Sequence, residues 1–295
     1  MTHGDAAPAL SVVVPVYDEA ANVAALVDEI ASIQALARAE ILFVDDHSQD
    51  DTLAILRRTA ATLPRLRVLS HTRRLGQSAA IRNGVKAARG CWIATLDGDG
   101  QNDPADLSLL LAQRELAPPE VKLFAGWRVA RQDSASKRWA SRWANRIRGG
   151  LLHDATPDTG CGTKLFERQA FLDLPGFDHM HRYLPALMQR AGWQTLSVPV
   201  GHRPRRGGRS KYGNLSRAAA GVLDLLGVLW LIRRGNAAAC NRAITEYTHG
   251  RHEPGNRGTG LDGPVHDAVE ADRAERGAPV RPALAGAVPG HAPRG

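Results

Sequence analysis

Two carboxylates and an amide directly follow an apolar segment. The stretch Cys91–Pro104 reads CWIATLDGDGQNDP, and its apolar part ends at Asp97, Asp99 and Gln101, separated by glycines. Carboxylates this close repel each other unless a cation or hydrogen-bond donors compensate. Alternate carboxylates and an amide oxygen suit Mg²⁺ or Mn²⁺, with positions left open for phosphate oxygens. The intervening glycines would allow close approach of backbone and ligand.

This acidic segment has two other interpretations. A calcium loop of the EF-hand type needs glycine at position six and glutamate at position twelve. Counted from Asp97, those positions hold Asn102 and Ser108, so the calcium loop is rejected. A plain turn between a strand and a helix is the second alternative, because Asp and Gly both favour turns. The residue types alone leave the turn and the metal site both open.

The segments around this site alternate between strand and helix patterns. Strands are predicted at Leu10–Val16, Ile41–Val44, Leu66–Leu69, Trp92–Leu96 and Leu123–Gly126. Helices are predicted between them over 22–36, over 77–88 and after Pro104. A further helix follows the second strand, and Ser48 and Asp50 can cap its start. This alternation indicates an α/β fold with a mostly parallel sheet flanked by helices. Ligands of such sheets bind at the carboxyl ends of the strands, where Asp46 and Asp97 fall.

The pattern changes after Trp127. The predicted elements there are a basic helix over 136–152, a glycine turn at 159–162, a helix over 180–191, a strand over 195–200, and a basic loop HRPRRGGRSKYG. A helix over 214–234 carries Leu223, Leu226, Leu229 and Trp230 on an apolar side. It either binds a membrane surface or docks on the domain or on a dimer partner. We expect an N-terminal tail over 1–9, one domain over 10–213, this helix, and a disordered tail over 235–295 that lacks Phe and Trp.

Composition limits the class of protein. The chain has 295 residues, 43% hydrophobic and 23% charged, with a net charge of +8. A basic chain suggests an anionic partner such as phosphate, nucleic acid or a membrane face. Nucleic-acid binding is disfavoured, because no stripe of alternating aromatic and basic residues is present. The three cysteines form no CxxC pair, which predicts reduced thiols and a cytoplasmic protein. The chain has no basic N-terminal segment, so we expect no signal peptide. It has no long apolar run either, so we expect no membrane span.

Six ordered motifs carry a resemblance to a known family. They read VVVPVYDEAANV, ILFVDDHSQDDT, RRLGQSAAIRNGV, LDGDGQNDP, DTGCGTK and HRPRRGGRSKYG. From about Leu10 to Ile232 the chain resembles family-2 inverting glycosyltransferases of the GT-A fold. It is most similar to the dolichyl-phosphate mannosyltransferase group, which includes bacterial undecaprenyl-phosphate sugar transferases. The first motif of that group usually reads Tyr-Asn-Glu, where this chain has Tyr17-Asp18-Glu19.

The resemblance implies a role for each matching residue. Asp97, Asp99 and Gln101 would hold Mg²⁺ or Mn²⁺. The donor-binding residues would be Pro15, Tyr17, Glu19, Val44, Asp46, Asp97, Gly98, Asp99, Arg128, Arg205 and Lys211. The acceptor phosphate would lie near Arg128, Arg138, Ser141 and Ser210, while Asp97, Asp99, Arg205 and Lys211 would be catalytic. Asp46 would accept a hydrogen bond from the nucleobase, although a helix-capping role fits Asp45-Asp46 as well.

The implied reaction moves a sugar from a GDP- or UDP-sugar to a polyprenyl phosphate. A phosphate acceptor is substantially ionised near neutral pH, so it needs no strong general base. A family-2 enzyme that acts on a soluble or protein hydroxyl would need one, and Asp158 is the candidate. A lipid acceptor implies peripheral contact with the inner face of the cell membrane. The sugar, the nucleotide and the oligomeric state stay open.

Overall fold

The structure is a computed structural model of the chain. It describes residues 8–129, 149–152, 154, 156–204 and 214–234. The predicted acceptor and loop residues Arg138, Ser141, Arg205, Ser210 and Lys211 lie outside these ranges, as does the predicted tail over 235–295. Of the basic helix predicted over 136–152, residues 149–152 are described, and these four are helical.

A seven-stranded sheet organises the described chain. The strands are β1 Leu10–Val16, β2 Glu40–Asp45, β3 Leu66–Ser70, β4 Trp92–Thr95, β5 Val121–Arg128, β6 Lys164–Glu167 and β7 Gln194–Val200. Their order in the sheet is β3-β2-β1-β4-β6-β5-β7, and pairing is parallel except around β6. β1 and β2 are buried along their full length, as expected for parallel strands covered on both faces. The predicted fold class is confirmed.

Helices cover both faces of the sheet. They are α1 Val23–Ser32, α2 Thr52–Thr62, α3 Gln77–Ala87, α4 Asp106–Leu116, α5 Arg168–Leu172, α6 Leu184–Arg190 and α7 Asn214–Arg233. Short 3-10 turns occupy Gln34–Leu36 and Met180–Arg182. The prediction of one helix over 180–191 is therefore wrong at its start. The first turn is a 3-10 turn, and α6 begins only after it. Successive side chains of β1 point to opposite faces of the sheet, and each face is covered by its own set of helices. Helices α1, α2 and α4 pack on one face, and α3, α5, α6 and α7 pack on the other.

The sequence pattern does not predict strand β6. Its four residues, KLFE, give no alternation long enough to identify a strand, and a glycine turn precedes them. In the fold β6 runs antiparallel between β4 and β5, with Thr95 opposite Lys164. The first residue of β6 therefore lies beside the last residue of β4, at the edge of the sheet where ligands bind.

The loops that follow β1 and β2 are tied to each other. Ser48 does not cap α2 as predicted; its Oγ accepts a hydrogen bond from the Asp18 backbone N–H at 2.9 Å. The Asp50 carboxylate accepts one from the Thr52 N–H at 3.0 Å, in the first turn of α2. Asp18 Oδ1 accepts one from the Gln49 N–H at 2.7 Å. The second loop requires an acceptor here, which the Asp18 carboxylate supplies as the amide oxygen of the family's usual Asn also could.

Helix α7 docks on the domain through one side. Val228 is 2% exposed and belongs to the core. Tyr183 donates from its hydroxyl to the Gly221 carbonyl at 3.1 Å, and Arg190 Nε donates to the Leu231 carbonyl at 2.9 Å. Leu229, predicted on the apolar outer side, packs partly against the core instead.

The opposite side of α7 is apolar and open to solvent. Val222, Leu223, Leu226 and Trp230 are 57 to 70% exposed. The two alternatives for this helix are therefore not exclusive, because one side docks and the other stays exposed. In the described part of the chain, no helix combines the length and the hydrophobicity that crossing a membrane requires.

Candidate functional site

A cavity of about 610 Å³ opens at the edge of the sheet where β1, β2 and β4 end. It is lined by the predicted site residues Pro15, Tyr17, Glu19, Asp46, Asp97, Gly98, Asp99, Gln101 and Arg128. Its size falls in the usual range for small-molecule sites, about 300 to 1,000 Å³. Val44, also predicted to bind the donor, is fully buried in the core on the α3 side. The fold thus brings together residues from three of the six motifs, and Arg128 from outside them.

The acidic segment after β4 is both a turn and a candidate metal site. Asn102 is buried, and its Oδ1 accepts the Asp97 N–H at 3.0 Å, which closes the turn. A Cβ at Gly98 would lie 2.5 Å from Val16, so only glycine allows this close packing on β1. Gly100 has a φ of +72°, a conformation that glycine adopts without strain. The turn therefore positions both carboxylates in the lining of the cavity.

The Asp97 carboxylate is held in an unfavourable charged state. Burial raises its pKa to about 6, and repulsion by Asp99 adds to the effect. Gln77 Nε2 donates a hydrogen bond to Asp97 Oδ1 at 2.9 Å and partly compensates. The backbone at Gly162 packs directly on this carboxylate, since a Cβ there would lie 2.3 Å from its oxygen.

The donor set at this position fits a divalent cation. No group of three or more His, Cys, Asp or Glu that could hold a metal occurs within the described ranges. The set offered instead is two carboxylates and the Gln101 amide, which leaves room for phosphate oxygens, the arrangement in which Mg²⁺ is usually bound. A cation there would remove the repulsion that raises the Asp97 pKa.

Asp45 and Asp46 have separate roles. Asp45 is fully buried and accepts hydrogen bonds from the Ser48 N–H and the Ser70 hydroxyl, so it stabilises the turn. Asp46 lines the cavity and accepts from the backbone N–H groups of Leu75 and Gly76, each at 2.8 Å. Asp45 therefore has a structural role in a turn and caps no helix, since α2 begins only at Thr52, and Asp46 is left facing the ligand space.

His71 holds Asp46 in place and was missed by the sequence analysis. Its Nδ1 lies 2.8 Å from Asp46 Oδ1, and Asn83 Nδ2 lies 3.0 Å from its Nε2. The amide nitrogen is a donor, so His71 Nε2 accepts and Nδ1 carries the hydrogen toward Asp46. Asp46 thus accepts three hydrogen bonds, and a carboxylate has capacity for about one more. A nucleobase N–H could take that place.

Tyr17 and Glu19 form the wall of the cavity next to Asp46. The Arg74 guanidinium lies 3.9 Å from the centre of the Tyr17 ring, in a cation–π arrangement. Glu19 accepts from Asn22 Nδ2 at 2.6 Å, and its backbone N–H donates to Thr52 Oγ1 at 2.8 Å. These contacts fix the first loop at the end of β1.

Arg128 reaches the cavity but is already paired. Its Nε and Nη2 donate to the two carboxylate oxygens of Asp158 at 2.6 and 3.0 Å. Asp158 is 4% exposed and does not line the cavity. A carboxylate held on both oxygens by a guanidinium is a weak base. The geometry therefore disfavours Asp158 as the general base that a hydroxyl acceptor would require.

Lys164 is a second residue that the sequence analysis did not select. It lines the cavity from the start of β6 and is 4% exposed. Its Nζ donates to the carbonyls of Cys161 and Thr159, and burial lowers its pKa. The signal available was its place at the end of the DTGCGTK motif, but no role could be assigned without β6.

The start of the basic loop lies next to the acidic turn. The Arg203 N–H donates to the Gln101 carbonyl at 2.9 Å. The Arg203 guanidinium forms ion pairs with Glu29 at 2.7 Å and Asp103 at 2.6 Å. The described chain thus leads into the loop beside the candidate metal site.

Comparison with solved structures supports the GT-A fold. Glucosyl-3-phosphoglycerate synthase from Mycobacterium tuberculosis, in complex with Mn²⁺, UDP and glucosyl-3-phosphoglycerate, shares 18% identity at a TM-score of 0.55, covering 76% of this chain and 79% of that one. A mannosyltransferase from Pyrobaculum calidifontis, in complex with GDP-mannose and Mn²⁺, shares 21% identity at a TM-score of 0.51, covering 82% and 77%.

Sequence comparison gives the family. The profile described as glycosyl transferase family 2 matches residues 11–174. A dodecaprenyl-phosphate galacturonate synthase of Rhizobium johnstonii is 36% identical over 236 residues, 76% of this chain and 67% of the relative. An undecaprenyl-phosphate 4-deoxy-4-formamido-L-arabinose transferase of Pseudomonas fluorescens is 34% identical over 207 residues, 69% of this chain and 60% of the relative. The chain thus spans about two thirds or less of these relatives, and it belongs to glycosyltransferase family 2.

Proposed function

We propose that the protein is a metal-dependent, inverting glycosyltransferase that moves a sugar from a UDP- or GDP-sugar to a polyprenyl phosphate. The observation that carries this proposal is the pair Asp97 and Asp99 in the same cavity as Asp46. The relatives named for transfer to dodecaprenyl and undecaprenyl phosphate support the choice of acceptor.

The order of the strands supports a direction for the donor across the cavity. Asp46 follows β2, Tyr17 follows β1 and Asp97 follows β4, and these three strands are neighbours in that order. Neighbouring strands are about 4.8 Å apart, so the nucleobase acceptor and the acidic pair are separated by roughly 10 Å along the sheet. That distance suits a nucleoside with its base at Asp46 and its diphosphate at Asp97.

Asp97, Asp99 and Gln101 would hold the Mg²⁺ or Mn²⁺ ion. When bound, the ion would neutralise charge that develops on the departing diphosphate. Arg205 and Lys211 are proposed to approach the same phosphates from the basic loop. Arg203 anchors the start of that loop at the Gln101 carbonyl and supports this proposal.

The acceptor phosphate would attack without a general base. A phosphate oxygen forms a bond to the anomeric carbon while the bond from that carbon to the diphosphate breaks. Nucleoside diphosphate leaves, and in-line attack inverts the anomeric configuration. Arg128, Arg138, Ser141 and Ser210 are proposed to hold the acceptor phosphate. For Arg128 this means exchanging its contacts with Asp158 for contacts with the acceptor.

The exposed side of α7 is proposed to rest on the inner face of the cell membrane. Its four apolar side chains, with Leu223 and Trp230 among the most exposed, end at Arg233 and Arg234, which are also exposed. An apolar stripe flanked by arginines favours the boundary between acyl chains and anionic headgroups. A lipid acceptor requires the enzyme to meet the membrane, which agrees with this arrangement.

A transfer assay tests the function. Purified protein is incubated with Mn²⁺, undecaprenyl phosphate and radiolabelled UDP- or GDP-sugars, and label is counted after extraction into butanol. We expect lipid-soluble label from at least one donor, no label with EDTA, and none with Asp99→Asn. Asp28→Asn, an exposed change on α1, is the matched control and should retain wild-type activity. Label that appears only in water-soluble products, or that persists in EDTA, would contradict the proposal.

A further inference from the structure

Arg182 presents an uncompensated positive charge to the cavity. It lines the cavity from the 3-10 turn Met180–Arg182. Among the described residues its guanidinium has no hydrogen-bond, ion-pair or ring partner. The other cavity cations are engaged: Arg128 with Asp158, Arg74 on the Tyr17 ring, and Lys164 on backbone carbonyls. Of these four cations, Arg182 is the one whose charge a ligand could use without breaking an existing contact.

The turn that carries Arg182 is fixed to the rest of the domain. Met180 is 1% exposed within the core, and the Tyr183 hydroxyl donates to helix α7. His181 Nδ1 lies 2.6 Å from the Ser78 hydroxyl, in the first turn of α3. His179 bonds to Asp224 on α7 at 2.8 Å. The turn is therefore held on both sides, which fixes the backbone from which Arg182 extends.

Arg182 lies in the chain directly after His181, which contacts the first turn of α3. Lys164 begins β6, one strand beyond β4 and on the opposite side from β2 and Asp46. The charges of Lys164 and Arg182 both act on His181, whose pKa is well below its usual value, first through burial and then through these cations. Lys164 and Arg182 thus add positive charge to the same cavity, and a donor running from Asp46 past Asp97 would bring its sugar toward Lys164.

We infer that Arg182 binds an oxyanion in the cavity, supplied by the carboxylate of a hexuronic acid donor or by the phosphate of the acceptor. This inference rests on the proposed function, since it takes the direction of the donor from it. A guanidinium offers two parallel N–H donors, which match the geometry of a carboxylate or a phosphate. A neutral hexose donor and a neutral hydroxyl acceptor would offer this guanidinium only the donor diphosphate, which the UDP-galactose measurement below isolates.

Binding measurements with Arg182→Gln test the inference directly. Calorimetry is run in Mn²⁺ with UDP-galacturonate, with UDP-galactose, and with farnesyl phosphate as a short acceptor. Loss of a charged hydrogen-bonded pair predicts about 10- to 100-fold weaker binding of the anionic probe. Weakening confined to UDP-galacturonate identifies the donor carboxylate. Weakening confined to farnesyl phosphate identifies the acceptor. Unchanged affinity for both anionic probes would overturn the inference.

Two further variants separate binding from folding. Arg182→Lys keeps the charge and should lose less affinity than Arg182→Gln. If Arg182 had only a structural role, retaining the charge would not be expected to preserve affinity. Arg58→Gln replaces an exposed arginine on α2 and should match wild type in every assay. Binding does not require turnover, so a wild-type protein that binds these probes but transfers no sugar to lipid would contradict the proposed function alone.

Discussion

Replacing Asp97 by Asn should stabilise the metal-free protein while abolishing transfer. The carboxylate has a pKa of about 6 in the fold against an ordinary 3.8, because burial and Asp99 disfavour its charge. That difference, at 1.36 kcal/mol for each pH unit, amounts to about 3 kcal/mol at neutral pH. Asn keeps the shape and an oxygen that Gln77 can still reach, so the variant removes the charge with little change in packing.

The sign of the pH dependence follows from the raised pKa. The folded protein binds the Asp97 proton more tightly than the unfolded chain, so its stability falls as pH rises between about 4 and about 6. Above pH 7 the cost is constant. The gain from Asp97→Asn should therefore be greatest at pH 8 and vanish near pH 4. For a domain of this size, about 3 kcal/mol corresponds to roughly 6 to 12 °C in Tm.

Thermal unfolding in EDTA at pH 4.5 and pH 8 provides the assay, with Asp28→Asn as the exposed control. Addition of Mn²⁺ should raise the Tm of the wild type more than that of Asp97→Asn, since a bound ligand stabilises the state that binds it. A Tm for Asp97→Asn at pH 8 equal to or below that of the wild type would refute the reasoning. So would an equal gain at both pH values.

Three further outcomes are expected. His71→Ala should raise the KM for the nucleotide sugar about 10-fold with kcat nearly unchanged, because Asp46 loses a partner that orients it; steady-state kinetics with an unaltered KM would argue against this role. Leu223→Glu with Leu226→Glu should reduce co-sedimentation with anionic vesicles and leave Tm unchanged, as both side chains are exposed; full retention on vesicles would exclude the α7 surface as the contact. Ending the chain after residue 234 should shift Tm by less than about 2 °C, because the tail lacks core-forming residues; a larger loss measured by calorimetry would show that the tail packs.

The local pattern of the chain predicted most of the sheet. The first five strands and the strand over 195–200 were placed within a few residues, because apolar runs such as LSVVVPV must be buried and turns must separate them. The same pattern located Asp46 and Asp97 at the ends of strands, which is sufficient to place them at one edge of a parallel sheet. The disordered tail and the domain bounds stay predictions, as do the roles of Arg205 and Lys211.

Other features depended on contacts between distant parts of the chain. Sequence could not decide which member of Asp45-Asp46 faces the cavity, because the choice depends on Ser70, His71 and the start of α3. Nor could it identify His71, whose hydrogen bond to Asp46 spans 25 residues.

The sequence by itself determined the class of fold, the family and the acidic end of β4, since each of these can be recognised from short segments of neighbouring residues. Only the tertiary structure decided how the rest of the cavity is charged. Strand β6 pairs with β4 across about 70 residues, and this pairing brings Lys164 beside the acidic turn. The 3-10 turn packs against α3 and α7, and this position places Arg182 in the lining of the same cavity. Hydrophobic periodicity reports which residues are buried, but it carries no information on which buried segments meet, because that choice is made by packing among elements far apart in sequence.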